Sequence, residues 1–357
     1  MSSKANSDYN TIMKYEKTLQ CLLCEASAEL KYEDYPGYQK PDTFGIYFCP
    51  ACDTSFSWPR ISTNGIYELI YKYGPRVRWY DVYWKNSEMV KIADNPLEYL
   101  AESEASYWGV KRSLDKITKA GLNSPKVLEI GCGLGYLTYS LNKAGYNAFG
   151  LDISSEAVAK AIENYGDFFI CADLHDYART HMQEYDIIIF TEVVEHLDNI
   201  KSFMSSMITL LNSNGKIILT TPNKSFYPSK VLWATDLPPV HYWWLSENSI
   251  ACIAKQLKLS VNFLNFSPFY RKHPMGFDVR KISIPITPPV FEKDGSLIGK
   301  SAMKFTRKQE NYIKRYAKDL LLFAYAKIKY TILGRNPNYL IPAKRGLTIC
   351  AVLQKSN

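Results

Sequence analysis

Short apolar runs alternate with helical rhythm through the second half of the chain. Residues 127–130 read as one buried strand. The run stops at Gly131-Cys132-Gly133-Leu134-Gly135, gives way to helical spacing from Tyr136, and is followed by a second strand ending at Asp152. Phe168-Phe169-Ile170 predicts a third strand, residues 185–190 a buried fourth, 215–223 a fifth, 257–264 a sixth and 347–353 a seventh. Apolar strands that alternate with helices make a mostly parallel sheet covered on both faces, an α/β fold.

Upstream, residues 102–120 place Tyr107, Val110, Leu114 and Ile117 on one helical stripe, with Gly121 as a C-terminal stop. Residues 60–124 are too rich in Tyr and Trp, around Trp79-Tyr80-Asp81-Val82-Tyr83-Trp84, to read as disordered linker. The Pro-stiffened stretch 236–246 opens a helix at Ser246 and should lie over the carboxyl ends of the strands. A long insertion separates the sixth and seventh strands. Within it Phe305, Tyr312, Ile313, Tyr316, Leu320, Phe323, Ala324 and Ile328 recur at helical spacing, with Arg307, Lys308, Lys314, Arg315 and Lys318 between them. Residues 300–345 hold twelve Lys or Arg against Glu310 and Asp319, whereas the whole chain carries a formal +8, so the remainder is slightly acidic. A basic amphipathic helix of this kind suits an anionic membrane surface, a phosphate-bearing substrate or nucleic acid; equally, it can pack its stripe and solvate its lysines.

A chain of 357 residues with 46% apolar content can bury a sizeable core in two domains or one enlarged domain. It has no run of 18 uncharged apolar residues, and its first residues lack the apolar stretch of a signal peptide, so a soluble cytoplasmic protein is expected. Four of its eight cysteines form two C-x-x-C pairs, Cys21/Cys24 and Cys49/Cys52, with twenty-four residues between the pairs. That spacing predicts one closed tetrahedral site for structural zinc in a ribbon of short strands, including a strand-like run at 44–48. A redox dithiol or metal-free pairs are the alternatives. Cys132, Cys171, Cys252 and Cys350 read as packed thiols.

The glycine turn between the first strand and helix lets bare backbone approach a ligand. Nicotinamide enzymes space theirs G-x-G-x-x-G; here Tyr136 fills the position that must be small, which argues against that class. The pattern led by Glu129, E-x-G-x-G-x-G, instead resembles motif I of class I S-adenosylmethionine-dependent methyltransferases. The resemblance continues through Asp152, Cys171-Ala172-Asp173-Leu174 and Thr191-Glu192-Val193-Val194-Glu195-His196-Leu197, over residues 127–223. The last segment is similar to the E-x-x-E-H-L of many small-molecule O-methyltransferases. The family implies a Rossmann-like seven-stranded sheet, here with an N-terminal zinc ribbon and a basic helical insertion before the last strand. The expected units are 1–60 (ribbon), 61–125 (aromatic connector covering the cofactor), 126–265 (cofactor-binding core), 266–345 (insertion) and 346–357 (final strand). In the family the helix before the first strand covers the cofactor, so Tyr107 or Trp108 would line the cleft or, alternatively, pack on the sheet.

For S-adenosylmethionine the resemblance implies contacts from Glu129, Gly131, Cys132, Gly133, Gly135, Tyr136, Asp152, Ile153, Asp173, Leu174, Thr191 and Glu192. Asp152 would meet the ribose hydroxyls and Asp173 the adenine amino group. Methyl transfer to an alcohol needs in-line positioning and a proton acceptor. His196 is the candidate base, with Glu195 orienting it or accepting the proton itself. Related enzymes often carry P-P-H-H before the following helix; this chain has Val240 in place of the first histidine, leaving His241 as a further candidate. A variant has Glu192, Glu195, His196 and His241 holding Mg or Mn. Residues 191–197 contain neither the Pro-Pro-aromatic segment of base-amine methyltransferases nor a Pro-Cys nucleophile. The expected acceptor is therefore a hydroxyl of a small molecule, sugar or lipid-linked glycan, in a layout resembling enzymes of surface-polysaccharide biosynthesis. The alternatives are an RNA methyltransferase gripping RNA with ribbon and insertion, with nucleic acid the less favoured partner, and a non-catalytic zinc-ribbon interaction protein.

Overall fold

The computed structural model describes residues 15–77, 80–122, 124–226, 237–273, 288–298 and 346–355, together with the helical positions Leu321, Ala324, Tyr325, Ile328 and Ile332. Four strands come first: β1 (Thr18–Gln20), β2 (Ser27–Pro36), β3 (Thr43–Cys49) and β4 (Thr54–Trp58). Helices α1 (Asn64–Tyr73), α2 (Asp81–Ile92), α3 (Pro96–Ser103) and α4 (Ala105–Lys119) lead into the alternating core. That core runs β5 (Lys126–Ile130), α5 (Tyr136–Lys143), β6 (Asn147–Asp152), α6 (Ser155–Tyr165), β7 (Phe169–Cys171), α7 (Leu174–Thr180), β8 (Tyr185–Thr191), α8 (Ile200–Leu210) and β9 (Leu211–Pro222). After it come β10 (Trp243–Trp244), α9 (Glu247–Gln256), β11 (Leu259–Phe263), α10 (Ser267–Lys272) and β12 (Thr348–Lys355).

The core sheet has seven strands in the order β11-β12-β9-β8-β5-β6-β7, all running the same way except β12, which is antiparallel to both its neighbours, β9 and β11. The seven strands expected from the sequence are all present. The order reverses at β5, the first strand in, so the loops after β5 and β8 open on the same crevice at the carboxyl ends. Alternation along each strand divides the core. Leu128, Ile130, Ile188 and Phe190 face α7, α8 and α9, whereas Val127, Ile187 and Ile189 face α4, α5 and α6. On α4 the predicted stripe, Tyr107, Val110, Leu114 and Ile117, is buried against this second face. Each such side chain contributes about 1.5–3 kcal/mol by leaving water.

The second sheet is antiparallel, in the order β1-β2-β3-β4-β10. Its fifth strand comes from the segment ahead of α9: Trp243 pairs with Phe56 and Trp244 with Ser55. Phe56 and Trp243 pack at 5.9 Å in the same buried cluster as Ile188 and Phe190 of the core. The cysteine-bearing strands are thus continuous in packing with the core sheet. The basic insertion read at 300–345 lies outside the described residues apart from five exposed helical positions. Among the described residues no helix is long and apolar enough to cross a membrane.

Candidate active site and metal centre

β5 ends at Ile130, and the chain turns with positive φ at Gly131 (70°), Gly133 (50°) and Gly135 (77°). The glycines answer different demands. A Cβ at Gly135 would stand 2.5 Å from the Phe169 ring and 2.7 Å from Ala161 Cβ, so that position is closed by packing. A Cβ at Gly133 would meet nothing nearer than the Tyr71 hydroxyl, 3.8 Å away. Bare backbone there faces space roofed by Tyr71 of α1, the cradle that a nucleoside cofactor needs. Asp152, at the end of β6, accepts from Gly133 N and Ser154 N, both at 2.8 Å, and burial raises its pKa. Beside it Ile153 is 73% exposed, an apolar surface suited to a flat base. Asp173 caps α7, accepting from His175 N and Asp176 N, and Leu174 behind it is buried.

Glu129 lies under the loop. Thr138 of α5 donates to it at 2.5 Å, and burial pushes its pKa up to about 8. Cys132 is buried beneath the turn, and Tyr136 is buried with its hydroxyl 2.5 Å from that of Tyr107. Trp108 packs on Phe266 and Phe269. Both connector aromatics thus take the packing alternative, while Tyr71 covers the glycine turn. Helical spacing alone did not single out Tyr71 in a connector where every second turn carries an aromatic.

β8 delivers the other half of the crevice. Thr191 pairs with Thr220, and Glu192 adopts φ +54°, a left-handed conformation unfavourable for a side chain of this size. Thr220 Oγ1 donates to Glu192 at 3.0 Å. Burial, together with the negative charge of Glu104 ahead of α4, pushes Glu192 up to about 7. Glu195 is buried and accepts from Thr221 Oγ1 at 2.9 Å; its carbonyl receives the Tyr242 N–H. His196 Nδ1 lies 2.5 Å from the Val240 carbonyl oxygen. A carbonyl only accepts, so Nδ1 carries the proton and Nε2 is left as the basic nitrogen. Nε2 stands 3.8 Å from Glu195 Oε1, beyond hydrogen-bond range. Burial lowers His196 to about 4, so the unperturbed value of a free imidazole does not apply. His241 is buried, 5.4 Å from the His196 ring and stacked on Trp244; burial and His196 hold its pKa well below the usual range. The structure therefore brings Glu192, Glu195, His196 and His241 to one strand end.

The four N-terminal cysteines Cys21, Cys24, Cys49 and Cys52 converge: their sulfurs all lie within 4.8 Å of one another, with Cys21 to Cys52 at 3.7 Å and Cys24 to Cys49 at 3.5 Å. Tetrahedral bonds of about 2.3 Å space sulfurs by about 3.8 Å, so the set matches a closed thiolate site. Glu25 and Asp53, at φ 66° and 55°, turn the chain tightly after each pair. Among the described residues this is the group of metal-type side chains that closes around one point. Ser249 on α9 ties the centre to the core, donating to the Cys52 and Asp53 carbonyls and accepting from Thr54. Lys224 also reaches Asp53, at 2.5 Å.

A seven-stranded sheet of this order, with a glycine turn facing an acid at the end of the adjacent strand, defines the fold of class I S-adenosylmethionine-dependent methyltransferases. Within it, the model of a methyltransferase domain family matches residues 99–261. The chain is similar to the ubiquinone biosynthesis O-methyltransferase of Aromatoleum aromaticum, 31% identical over 112 residues covering 30% of this chain and 48% of that one. It is also similar to the enzyme of that name from Cronobacter sakazakii, 28% identical over 153 residues, 42% of this chain and 57% of that one. The chain thus spans about half the length of the curated relatives it matches. Among solved structures it resembles a methyltransferase from Archaeoglobus fulgidus (TM-score 0.41, 15% identity, covering 69% of this chain and 93% of that one). It also resembles a possible histamine N-methyltransferase from Thermotoga maritima (TM-score 0.42, 10% identity, covering 81% and 100%).

Proposed function

We propose that this protein is a methyltransferase that uses S-adenosylmethionine to methylate a hydroxyl of a small molecule, sugar or lipid-linked glycan. The observation that carries the reading is the pairing of two half-sites on one crevice. On one side stand the open Gly133 backbone, Tyr71 and Asp152; on the other, His196 presents an unprotonated Nε2 at the end of β8. S-adenosylmethionine supplies an activated methyl group on a sulfonium. Asp152 would hold its ribose, Ile153 and Asp173 its adenine, and the Gly133 turn its amino-acid tail. His196 takes the hydroxyl proton through Nε2, held in place by Val240 and flanked by Glu195 and His241. The hydroxyl-methylating relatives support an oxygen acceptor. Zinc in the Cys21, Cys24, Cys49 and Cys52 site would be structural, because protein fills all four positions.

A second reading gives the proton to Glu192, favoured by its pKa of about 7 and its strained backbone. It is the residue whose acidity suits neutral pH. The test is release of S-adenosylhomocysteine by the purified protein over a panel of catechols, phenols and sugar nucleotides, with His196→Ala and Glu192→Gln alongside. Turnover with a hydroxyl acceptor supports the proposal. Binding of neither S-adenosylmethionine nor S-adenosylhomocysteine by the wild type refutes it.

A further inference from the structure

Where the cysteine-bearing sheet ends, the chain places a cation beside the proposed acceptor side. Arg60 follows β4 by two residues, and its guanidinium carbon lies 4.1 Å from the centre of the Tyr242 ring and 4.3 Å from that of Trp243. Nε, Nη1 and Nη2 are all buried, and none has a hydrogen-bond partner. Burial lowers its pKa only to about 10, so it stays charged at neutral pH. Two aromatic faces offset part of the desolvation, but they satisfy none of the five N–H donors. A buried, unpaired guanidinium is costly, and an anion is what relieves it.

The rings that hold Arg60 are bound to the segment carrying the proposed base. Tyr242 N donates to the Glu195 carbonyl at 2.9 Å, and Trp243 Nε1 donates to the Leu197 carbonyl at 2.6 Å. Tyr242 also donates its hydroxyl to the Ile61 carbonyl, fixing the residue after Arg60. Arg60 is thus linked to residues 195–197 through the Trp243 ring and through the Tyr242 backbone. The charged and phenolic groups that bear on it are Asp198, which is exposed, and Tyr242. Asp152 and Glu156, on the cofactor half of the crevice, bear instead on Tyr71. Through Tyr242 and Trp243 the unmet donors adjoin the segment that carries the proposed base.

We propose that Arg60 is a specificity-determining residue that binds a carboxylate or phosphate carried by the methyl acceptor. The inference rests on the methyltransferase reading and narrows it to anionic acceptors. The planar fork of a guanidinium matches either oxyanion with two parallel hydrogen bonds, which a lysine does not reproduce. The shielded nitrogens require the Tyr242 and Trp243 rings to shift as the anion enters. The cysteine-bearing sheet would in this way set which acceptor is methylated.

The test is calorimetric titration of the full chain saturated with S-adenosylhomocysteine, using 3,4-dihydroxybenzoate, neutral catechol and inorganic phosphate at constant ionic strength. Wild type is compared with Arg60→Met, which keeps the stem over the rings, and Arg60→Lys, which keeps the charge. The expected result is tighter binding of dihydroxybenzoate than of catechol by about ten-fold or more in wild type. Phosphate should compete, and the preference should vanish in Arg60→Met and survive in part in Arg60→Lys. Unchanged S-adenosylhomocysteine affinity in both variants shows that they fold and that the cofactor does not use Arg60. The proposal is overturned by no saturable anion binding to wild type, by an anion preference that persists in Arg60→Met, or by a ten-fold loss of S-adenosylhomocysteine affinity in that variant. That last outcome would assign Arg60 to the cofactor's own carboxylate. Failure of wild type to bind S-adenosylhomocysteine at all would defeat the methyltransferase reading itself, and this one with it.

Discussion

His196 and Val240, 44 residues apart in sequence, are joined by a 2.5 Å contact between Nδ1 and a carbonyl oxygen. The loop ahead of β10 thereby sets the tautomer of the proposed base. His196→Ala should leave S-adenosylhomocysteine affinity unchanged and lower turnover by about 10²-fold or more, the usual contribution of a positioned base. Calorimetry and a methyl-transfer assay check the pair; loss of binding with turnover retained would reverse the assignment.

The two candidate bases differ in the pH at which they lose function. A base acts unprotonated, so activity falls as pH drops through its pKa. With His196 near 4, kcat/KM should be level between pH 6 and 9. With Glu192 near 7, it should fall about ten-fold for each unit below 7, and Glu192→Gln should abolish that limb. The proposed function expects the level profile.

Asp152 accepts the Gly133 N–H, and under the proposed function its remaining lone pairs would hold the ribose. Asp152→Ala should weaken S-adenosylmethionine binding by about ten-fold or more, since it removes charge-assisted hydrogen bonds. Asp152→Asn, which still accepts from Gly133, should recover part of the loss. Equal affinity in Asp152→Ala and wild type would remove the residue from the cofactor site.

Glu129 makes a pH prediction for stability. Its carboxyl titrates near 8 in the folded chain and near the ordinary glutamate value when unfolded. Between those limits the folded state binds the extra proton, so this group's contribution is complete at low pH and is lost as pH rises toward and through 8. Glu129→Gln, which stays neutral, should flatten the decline. Melting temperatures of both proteins at pH 5 to 8.5 check this, the difference between the two curves isolating Glu129 from other titrating groups.

The four-cysteine cluster and α9 share Ser249. Cys49→Ser should release the metal and destabilise the N-terminal sheet. Ser249→Ala should keep the metal and cost about 1–3 kcal/mol, because the buried Thr54 hydroxyl and the Cys52 carbonyl lose a partner, while Lys224 still serves the Asp53 carbonyl. Metal analysis with denaturant unfolding separates the two; full metal content in Cys49→Ser would argue against a four-thiolate site.

The sheet was legible because its strands are buried on both faces, and continuous runs such as Ile187-Ile188-Ile189-Phe190 have no amphipathic ambiguity. The four cysteines were legible because metal geometry ties spacing to chemistry. What the sequence left hidden depends on long-range packing. Tyr71 covers the glycine turn from α1, Glu104 bears on Glu192 from the start of α4, and Arg60 meets Tyr242 and Trp243 across about 180 residues of chain. None of these pairings has a local pattern. The basicity of His196 was hidden for a related reason: it is set by burial, which spacing does not reveal.

The pairing of Trp243–Trp244 with β4 also orders events during synthesis. Until residue 244 has left the ribosome, β4 is an open edge, and its partner Phe56 has no Trp243 to cover it. A nascent chain would thus hold the cysteine strands incomplete while the parallel core is assembling, and the two sheets close as one late, non-local step. A fragment ending before β10 would expose that edge and is expected to aggregate, just as β9 of the core stays an open edge until β12, the last strand made, has emerged.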